Sequence, residues 1–183
     1  MSRQQEIDRL IDTLNAPKWM FWVNASSKAT ASRALGGFGP EAIPSLIRAL
    51  STSGAAYAVM ALVKIGAVAI PDCLQALRGP GAAYAVLFFK EIGASCVDEL
   101  IAEFNGEGAA YAALTLVEIG PSALPHLIQA VTNGNDTVRQ YAALTLGRMG
   151  KWAAEAIPAL QAAQTDSDEN VRKAAKEALK SIG

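Results

Sequence analysis

The sequence predicts an all-α fold of the solenoid type, an alpha-alpha superhelix in which helical hairpins repeat along the chain. A segment of 13 residues occurs four times and ends in Gly each time. The closing residues, Gly66, Gly93, Gly120 and Gly150, are separated by 27, 27 and 30 residues. A second, shorter apolar segment follows each copy. Self-similarity with such a period is typical of helical repeat proteins, in which each repeat packs on its neighbours.

The chain begins with a predicted amphipathic helix over residues 2–15. Ser2 and Gln5 have the spacing of a capping box, and Pro17 is expected to end the helix. Its apolar residues fall on one face: Ile7, Leu10, Ile11 and Leu14.

An aromatic segment, Trp19-Met-Phe-Trp-Val23, follows this helix. Aromatic side chains often anchor a partner, so one interpretation is a binding element. The other, which we favour, is an apolar plug that seals the open end of the repeats, because terminal repeats need a cap.

Each repeat is predicted to consist of a longer helix A, a turn at the closing Gly and a shorter helix B. Four B helices carry Pro in the first turn, where its missing N–H costs nothing: Pro44, Pro71, Pro125 and Pro158. The third carries Asp98, which the positive end of the helix dipole favours. The first A helix is expected over Ser27–Gly39 and the last over Val171–Gly183. We expect a single domain with five repeats and a half repeat in residues 27–183, capped by residues 1–26.

Two sets of residues resemble HEAT-like repeats of the phycobilisome-lyase type. One is the A helices that open with Val138-Arg and Val171-Arg and close with Gly150 and Gly183; the other is the Ala-Ile-Pro-x-Leu pattern of the B helices. The resemblance covers residues 27–183 and implies an all-α superhelix. Such repeats occur in bilin lyases, in enzyme accessory factors and in scaffolds, so the resemblance is specific for the fold and not for the function.

Composition excludes several classes of function. A formal net charge of -1 provides no basic field for nucleic acid. A single His excludes a His-rich metal centre, and we expect no metal and no cofactor. The N-terminus is too polar for a signal peptide, and the uncharged runs fall short of a membrane span. We expect a cytoplasmic protein in which Cys73 and Cys96 are reduced, the alternatives being a disulfide or a metal site.

The central A helices carry apolar residues on the face turned away from the B helices, where charged residues are expected. These candidate binding residues are Val59, Met60, Val63, Val86, Leu87, Leu114, Val117 and Leu144. Ser32 and Arg33 at one end of the repeats, and Lys176 and Glu177 at the other, are polar. A contiguous apolar surface with polar margins marks an interface with a protein partner or a second copy. The alternative is internal burial, with the N-terminal segment as the cover.

Two further sets of residues recur at fixed repeat positions. Polar residues on the B helices are expected to line a concave face that takes a second ligand: Arg48, Gln75, His126 and Gln129. All four tyrosines share one position in helix A: Tyr57, Tyr84, Tyr111 and Tyr141. We favour packing between A helices, with each ring filling volume that Gly leaves at the helix start, over an aromatic rail for a planar ligand.

No arrangement of catalytic residues is evident in the sequence. There is no phosphate-binding Gly-rich loop, no Cys-x-x-Cys, and no Ser beside a His with an orienting acid. We therefore expect a non-enzymatic scaffold or adaptor for protein–protein interaction. The alternative, which the resemblance implies, is a bilin lyase or a chromophore-handling chaperone.

Overall fold

The computed structural model describes residues 2–17, 19–20 and 22–183. Helices and turns account for the regular structure of these residues, which include no strand. The predicted all-α class of repeated helical hairpins is therefore confirmed. The chain divides into two compact units, residues 1–92 and 93–183, which we describe separately.

Twelve α-helices are present in the described residues. Unit 1 contains α1 (Arg3–Asn15), α2 (Ala25–Phe38), α3 (Ile43–Ala49), α4 (Ala55–Ile65), α5 (Ile70–Ala76) and α6 (Ala82–Ile92). Unit 2 contains α7 (Val97–Ala102), α8 (Ala109–Ile119), α9 (Leu124–Asn133), α10 (Asp136–Met149), α11 (Ile157–Ala163) and α12 (Glu169–Ile182). From α2 onward, even-numbered helices are A helices and odd-numbered helices are B helices. Short 3-10 turns join each A helix to the next B helix.

The Gly that closes each A helix and the Pro that opens a B helix have the structural roles that the sequence predicts. Each A helix from α2 to α10 is followed by a Gly with positive φ, between 57° and 83°, a conformation that other residues rarely adopt. Pro lies in the first turn of α3, α5, α9 and α11, where it needs no hydrogen-bond acceptor. Within each unit, the sharp reversal between an A helix and the following B helix is thus encoded locally.

Side-chain caps make the outer A helices α2 and α12 begin earlier in the sequence than the apolar pattern predicts. Helix α2 begins at Ala25, because the Asn24 side chain accepts a hydrogen bond from the Ser27 N–H at 3.0 Å. Helix α12 begins at Glu169, because the Asp168 carboxylate accepts from the Val171 N–H at 3.1 Å. These caps satisfy N–H groups that have no partner within the helix.

Helix α1 occupies the position of a B helix that has no A helix of its own. The predicted capping box between Ser2 and Gln5 is present. Leu14 is fully buried, and a Cβ added to Gly54, at the start of α4, would lie 2.8 Å from Leu14 Cβ. Leu50, at the end of α3, stands in the same relation to Gly81, at 2.9 Å. The pattern Ile-x-x-Leu-Ile-x-x-Leu, shared by residues 7–14 and 43–50, indicates this equivalence in the sequence.

Polar contacts at the C-terminus of α1 complete the N-terminal cap. Lys28 Nζ donates to the carbonyls of Leu14 and Ala16, both at 2.8 Å, and Ser53 Oγ donates to the carbonyl of Asn15 at 3.1 Å. A cation at the C-terminus of a helix also interacts favourably with the negative end of the helix dipole.

The prediction that the aromatic segment forms a buried plug is wrong for its two tryptophans. Trp19 and Trp22 are 68% and 60% exposed, and Phe21 lies outside the described residues. Helix α1 instead covers the first repeat, because its apolar face supplies the surface that a preceding B helix would provide.

One apolar stretch, Ala55–Ala76, has the length and composition of a membrane span. It comprises α4, a 3-10 turn and α5, and Gly66 reverses the chain within it. In the described part of the chain it is the sole candidate, and its hairpin geometry makes the indication weak.

An ion-pair network in unit 2 connects the A helices α10 and α12. The Arg139 guanidinium donates two hydrogen bonds to the Asp166 carboxylate, both at 2.7 Å, and a third to Asp136 at 2.8 Å. Arg172 Nη1 donates to the carbonyl of Asp166 at 2.6 Å. The side chains of Arg139 and Asp166 are mostly buried. The Arg139 hydrogen bonds hold the pKa of the Asp166 carboxyl below its ordinary value.

We predict that Asp166→Asn lowers the free energy of unfolding by about 2 kcal/mol at neutral pH, because charge-assisted hydrogen bonds are lost. A carboxyl whose pKa is lowered by folding contributes stability above its unfolded pKa and loses that contribution on acidification. The difference between the two proteins should therefore shrink as pH falls from about 5 towards 3. Urea unfolding at several pH values measures it.

Glu169→Gln is the matched control, since Glu169 pairs with Lys173 at the exposed surface and its loss should have little effect. A deficit in Asp166→Asn that stays constant with pH would contradict a stabilising role for the carboxylate charge.

Candidate interaction surface

The outer position of each A helix is the sixth residue before its closing Gly. This position holds, in order along the chain, Arg33, Met60, Leu87, Leu114, Leu144 and Glu177. Met60, Leu87 and Leu114 are 57%, 45% and 41% exposed, and Leu144 is half-buried. The structure therefore places apolar side chains in contact with solvent at the outer position of the central helices.

Two of the predicted surface residues, Val59 and Val86, lie in the core. Each is only 6% exposed, whereas the next residue in each helix, Met60 or Leu87, is exposed. One residue is a rotation of 100° about a helix, which suffices to move a side chain from the surface to the interior. Val63 and Val117 are half-buried. Internal burial is thus correct for Val59 and Val86 and wrong for Met60, Leu87 and Leu114.

Two grooves flank Met60 in unit 1. The larger, about 490 Å³, lies between α4 and α6 and has a mainly apolar lining: Val59, Met60, Val63, Leu87 and Glu91. The smaller, about 200 Å³, lies between α2 and α4, and its lining includes two cations: Ala29, Ser32, Arg33, Met60 and Lys64. Met60 contributes to both grooves, so we call Met60, Leu87 and these two grooves the unit 1 face.

The charged residues of the unit 1 face are arranged asymmetrically. Arg33 and Lys64 line the groove on one side of Met60, and Glu91 lines the groove on the other. Lys64 Nζ donates to the Arg33 carbonyl at 2.9 Å, which holds its side chain across α2. Gly36 makes this possible, because a Cβ there would lie 2.7 Å from Lys64 Cδ.

Lys64 and Glu91 are charged residues of this surface that the sequence interpretation did not single out. Lys64 and Glu91 each lie two residues before a closing Gly, and Glu118 and Arg148 occupy the same position later in the chain. The recurrence of a charged residue at this repeat position was the sequence signal that could have identified them. Within the described residues, neither Arg33 nor Glu91 forms an ion pair, so both charges remain open to a partner.

Unit 2 has its own outer surface around Leu144. A groove of about 320 Å³ between α10 and α12 is lined by Leu144, Gly147, Arg148, Glu177, Ala178 and Ser181. The two helices approach closely, since a Cβ on Gly147 would lie 2.8 Å from Ala178 Cα. This groove is more polar than the unit 1 face.

The tyrosines are partly packed and partly exposed. Tyr84 and Tyr111 are 36% and 41% exposed, and Tyr57 and Tyr141 are half-buried. The Tyr141 ring stacks on Phe104, with 5.5 Å between the ring centroids. The space beside the starting Gly of α4 and of α6 is filled by Leu14 and Leu50 rather than by a Tyr ring, so that part of the packing prediction is wrong.

The polar residues predicted on the B helices fall into two separate groups. In unit 1, Arg48 borders a pocket of about 300 Å³, and Gln75 is exposed; the pocket lining is Asp8, Ile11, Asp12, Asn15, Ser45, Arg48, Ala49 and Thr52. In unit 2, His126 Nδ1 lies 2.6 Å from Asp98 Oδ1 on the neighbouring B helix, and Gln129 is exposed.

The thiols of Cys73 and Cys96 are reduced and buried, and Cys96 Sγ donates to the Gly93 carbonyl at 3.1 Å. Burial raises the pKa of the Cys73 thiol to about 12, and that of the Cys96 thiol to about 11. Since the thiolate is the reactive form, burial disfavours reaction of either thiol at neutral pH. Within the range that the structure describes, no three His, Cys, Asp or Glu side chains are grouped as metal ligands.

Two family models match the chain. The model described as HEAT repeats matches residues 95–180, and the model described as PBS lyase HEAT-like repeat matches residues 28–52. No curated protein is similar to the chain in sequence.

Several solved structures are similar to the chain at low identity. Human deoxyhypusine hydroxylase in complex with glycerol is 18% identical, with 96% of this chain and 73% of that chain covered and a TM-score of 0.45. A designed armadillo repeat protein in complex with the peptide (KR)4 is also 18% identical, with 97% and 100% covered and a TM-score of 0.38. These TM-scores are too low for an inference about function.

The exposure of Tyr84 leads to a stability prediction. Tyr84→Ala should lower the free energy of unfolding by about 1 to 2 kcal/mol, because part of the ring is already in water. Phe88→Ala, one helical turn later and fully buried, is the matched comparison and should cost about 3 to 5 kcal/mol. Equal losses in urea unfolding would mean that the Tyr84 ring belongs to the core.

Proposed function

Since the chain is a HEAT-like repeat protein of the PBS lyase type, we propose that it acts as a non-enzymatic scaffold that binds protein through the unit 1 face. The observation that carries this proposal is the exposure of Met60 and Leu87 at the outer position of adjacent A helices. The fold does not need apolar residues there, because Arg33 occupies the same position in α2.

The exposed apolar area is large enough to contribute to binding. A Met or Leu side chain that moves fully from water to an apolar contact contributes about 1.5 to 3 kcal/mol. Met60 and Leu87 are each about half exposed, so together they would contribute roughly 2 kcal/mol, or about thirty-fold in affinity. Charged groups on both sides of Met60 supply the polar margin that is typical of a protein interface.

The proposal is tested with the double substitution Met60→Glu and Leu87→Glu. The variant should keep its helical far-ultraviolet spectrum, because both side chains lie at the surface. Proteins that co-purify with the wild-type chain from its host should be identified and recombined with both purified forms. The expected result is a loss of affinity of about thirty-fold or more for the variant.

Arg48→Glu is the matched control, since it changes a surface charge on a B helix and leaves the unit 1 face intact. If a partner binds the double variant with unchanged affinity but no longer binds the Arg48→Glu variant, binding uses the B helices and the proposed surface is wrong. Leu114→Glu measures separately whether the outer position of α8 takes part.

A bilin-handling role is the alternative that the PBS lyase HEAT-like match over residues 28–52 favours. Under our proposal, a free bilin mixed with the purified protein keeps its absorption spectrum. A changed spectrum that survives gel filtration with the protein would favour the alternative.

A further inference from the structure

We propose that the unit 1 face binds a second copy of this chain, in a two-fold symmetric dimer centred on Met60. This inference rests on the proposed function, because it names the occupant of the same surface. Its basis is self-complementarity: cations lie on one side of Met60, and an anion lies on the other.

Symmetry determines which residues of the two copies would meet. Consider a two-fold axis that lies in the plane of contact and runs parallel to α4. This axis places α2 of one copy opposite α6 of the other. Residues at the same position along their helices then face each other. The groove between α2 and α4 of one copy then faces the groove between α4 and α6 of the other. An isologous contact of this kind forms every pair twice.

The repeat positions place opposite charges at the same height under this operation. Lys64 and Glu91 both lie two residues before a closing Gly, so each Lys64 meets Glu91 of the second copy. Met60 meets Met60 at the axis, and Leu87 meets the aliphatic part of Arg33, which shares its repeat position. A two-fold axis perpendicular to the helices would instead bring α2 onto α2 and place like charges together.

The size of the face predicts a weak dimer. Three helices about 10 Å apart, each with about 11 residues at about 1.5 Å per residue, present roughly 500 Å² per copy. The two copies would bury about 1,000 Å² in total, near the lower limit for a specific interface. We therefore expect a dissociation constant in the micromolar range, which increases with salt because two ion pairs contribute.

Charge-reversing substitutions at Lys64 and Glu91, made in the full-length chain, test this arrangement. The molar mass of each protein is measured by light scattering or sedimentation equilibrium from about 1 to 300 μM. The wild type should dimerise, and Lys64→Glu alone or Glu91→Lys alone should weaken the dimer at least tenfold. The chain with both substitutions should dimerise again, and an equimolar mixture of the two single variants should form a mixed dimer.

Restored association in the double variant is a result that a merely structural effect of either substitution would not give. A wild-type chain that stays monomeric at all concentrations, or a double variant that stays dissociated, would overturn the dimer. The proposed function fails separately: it requires that Met60→Glu with Leu87→Glu weakens the binding of some protein by about thirty-fold or more. A monomer that floats with phosphatidylcholine vesicles would contradict both proposals.

Discussion

The close approach between the start of an A helix and the end of an earlier helix is the constraint on which the repeat depends. Gly54 lies against Leu14, and Gly81 lies against Leu50, at distances that leave no room for a Cβ. Gly108 instead lies against the Glu103 carboxylate, whose Oε1 accepts the Gly108 N–H at 3.3 Å. A larger residue at Gly54 or Gly81 would push the helices apart, whereas one at Gly108 would first displace the Glu103 side chain.

The chain uses two methods to begin an A helix, and the method correlates with repeat length. Helices α4 and α8 begin at Gly without a side-chain cap, in repeats that follow short loops. Helices α2, α10 and α12 are preceded by the N-cap residues Asn24, Asn135 and Asp168, whose side chains accept hydrogen bonds from the first turn. In the second method, the helix starts are stabilised by polar groups instead of by close packing. The ion-pair network around Arg139 belongs to this type.

The sequence predicted those features that depend on local chemistry. A Gly with positive φ and a Pro in a first helical turn have a local cause, so the hairpins could be placed to within a few residues. Which side of a helix faces the core was harder to predict. Val59 and Met60 are adjacent and both apolar, and only the packing of neighbouring helices determines which one is buried. The capping role of the first helix was predicted, but its equivalence to a B helix was not, because it lacks the Pro that marks four of the B helices. Trp19 and Trp22 were expected in an apolar plug because a terminal repeat needs a cap, but α1 already fills that place.

The adjacency of Val59 and Met60 also makes folding and association separable in this protein. Val59 contributes to the core of unit 1, so its side chain is fixed by the fold. Met60 makes little contact with the core, and Arg33 and Glu177 show that its position in helix A accepts a charge. Selection for solubility alone would place polar residues at such a position, as it does in the outer helices. The exposure of Met60 and Leu87 to water, where each methylene is unfavourable, therefore favours a contact that removes them from water.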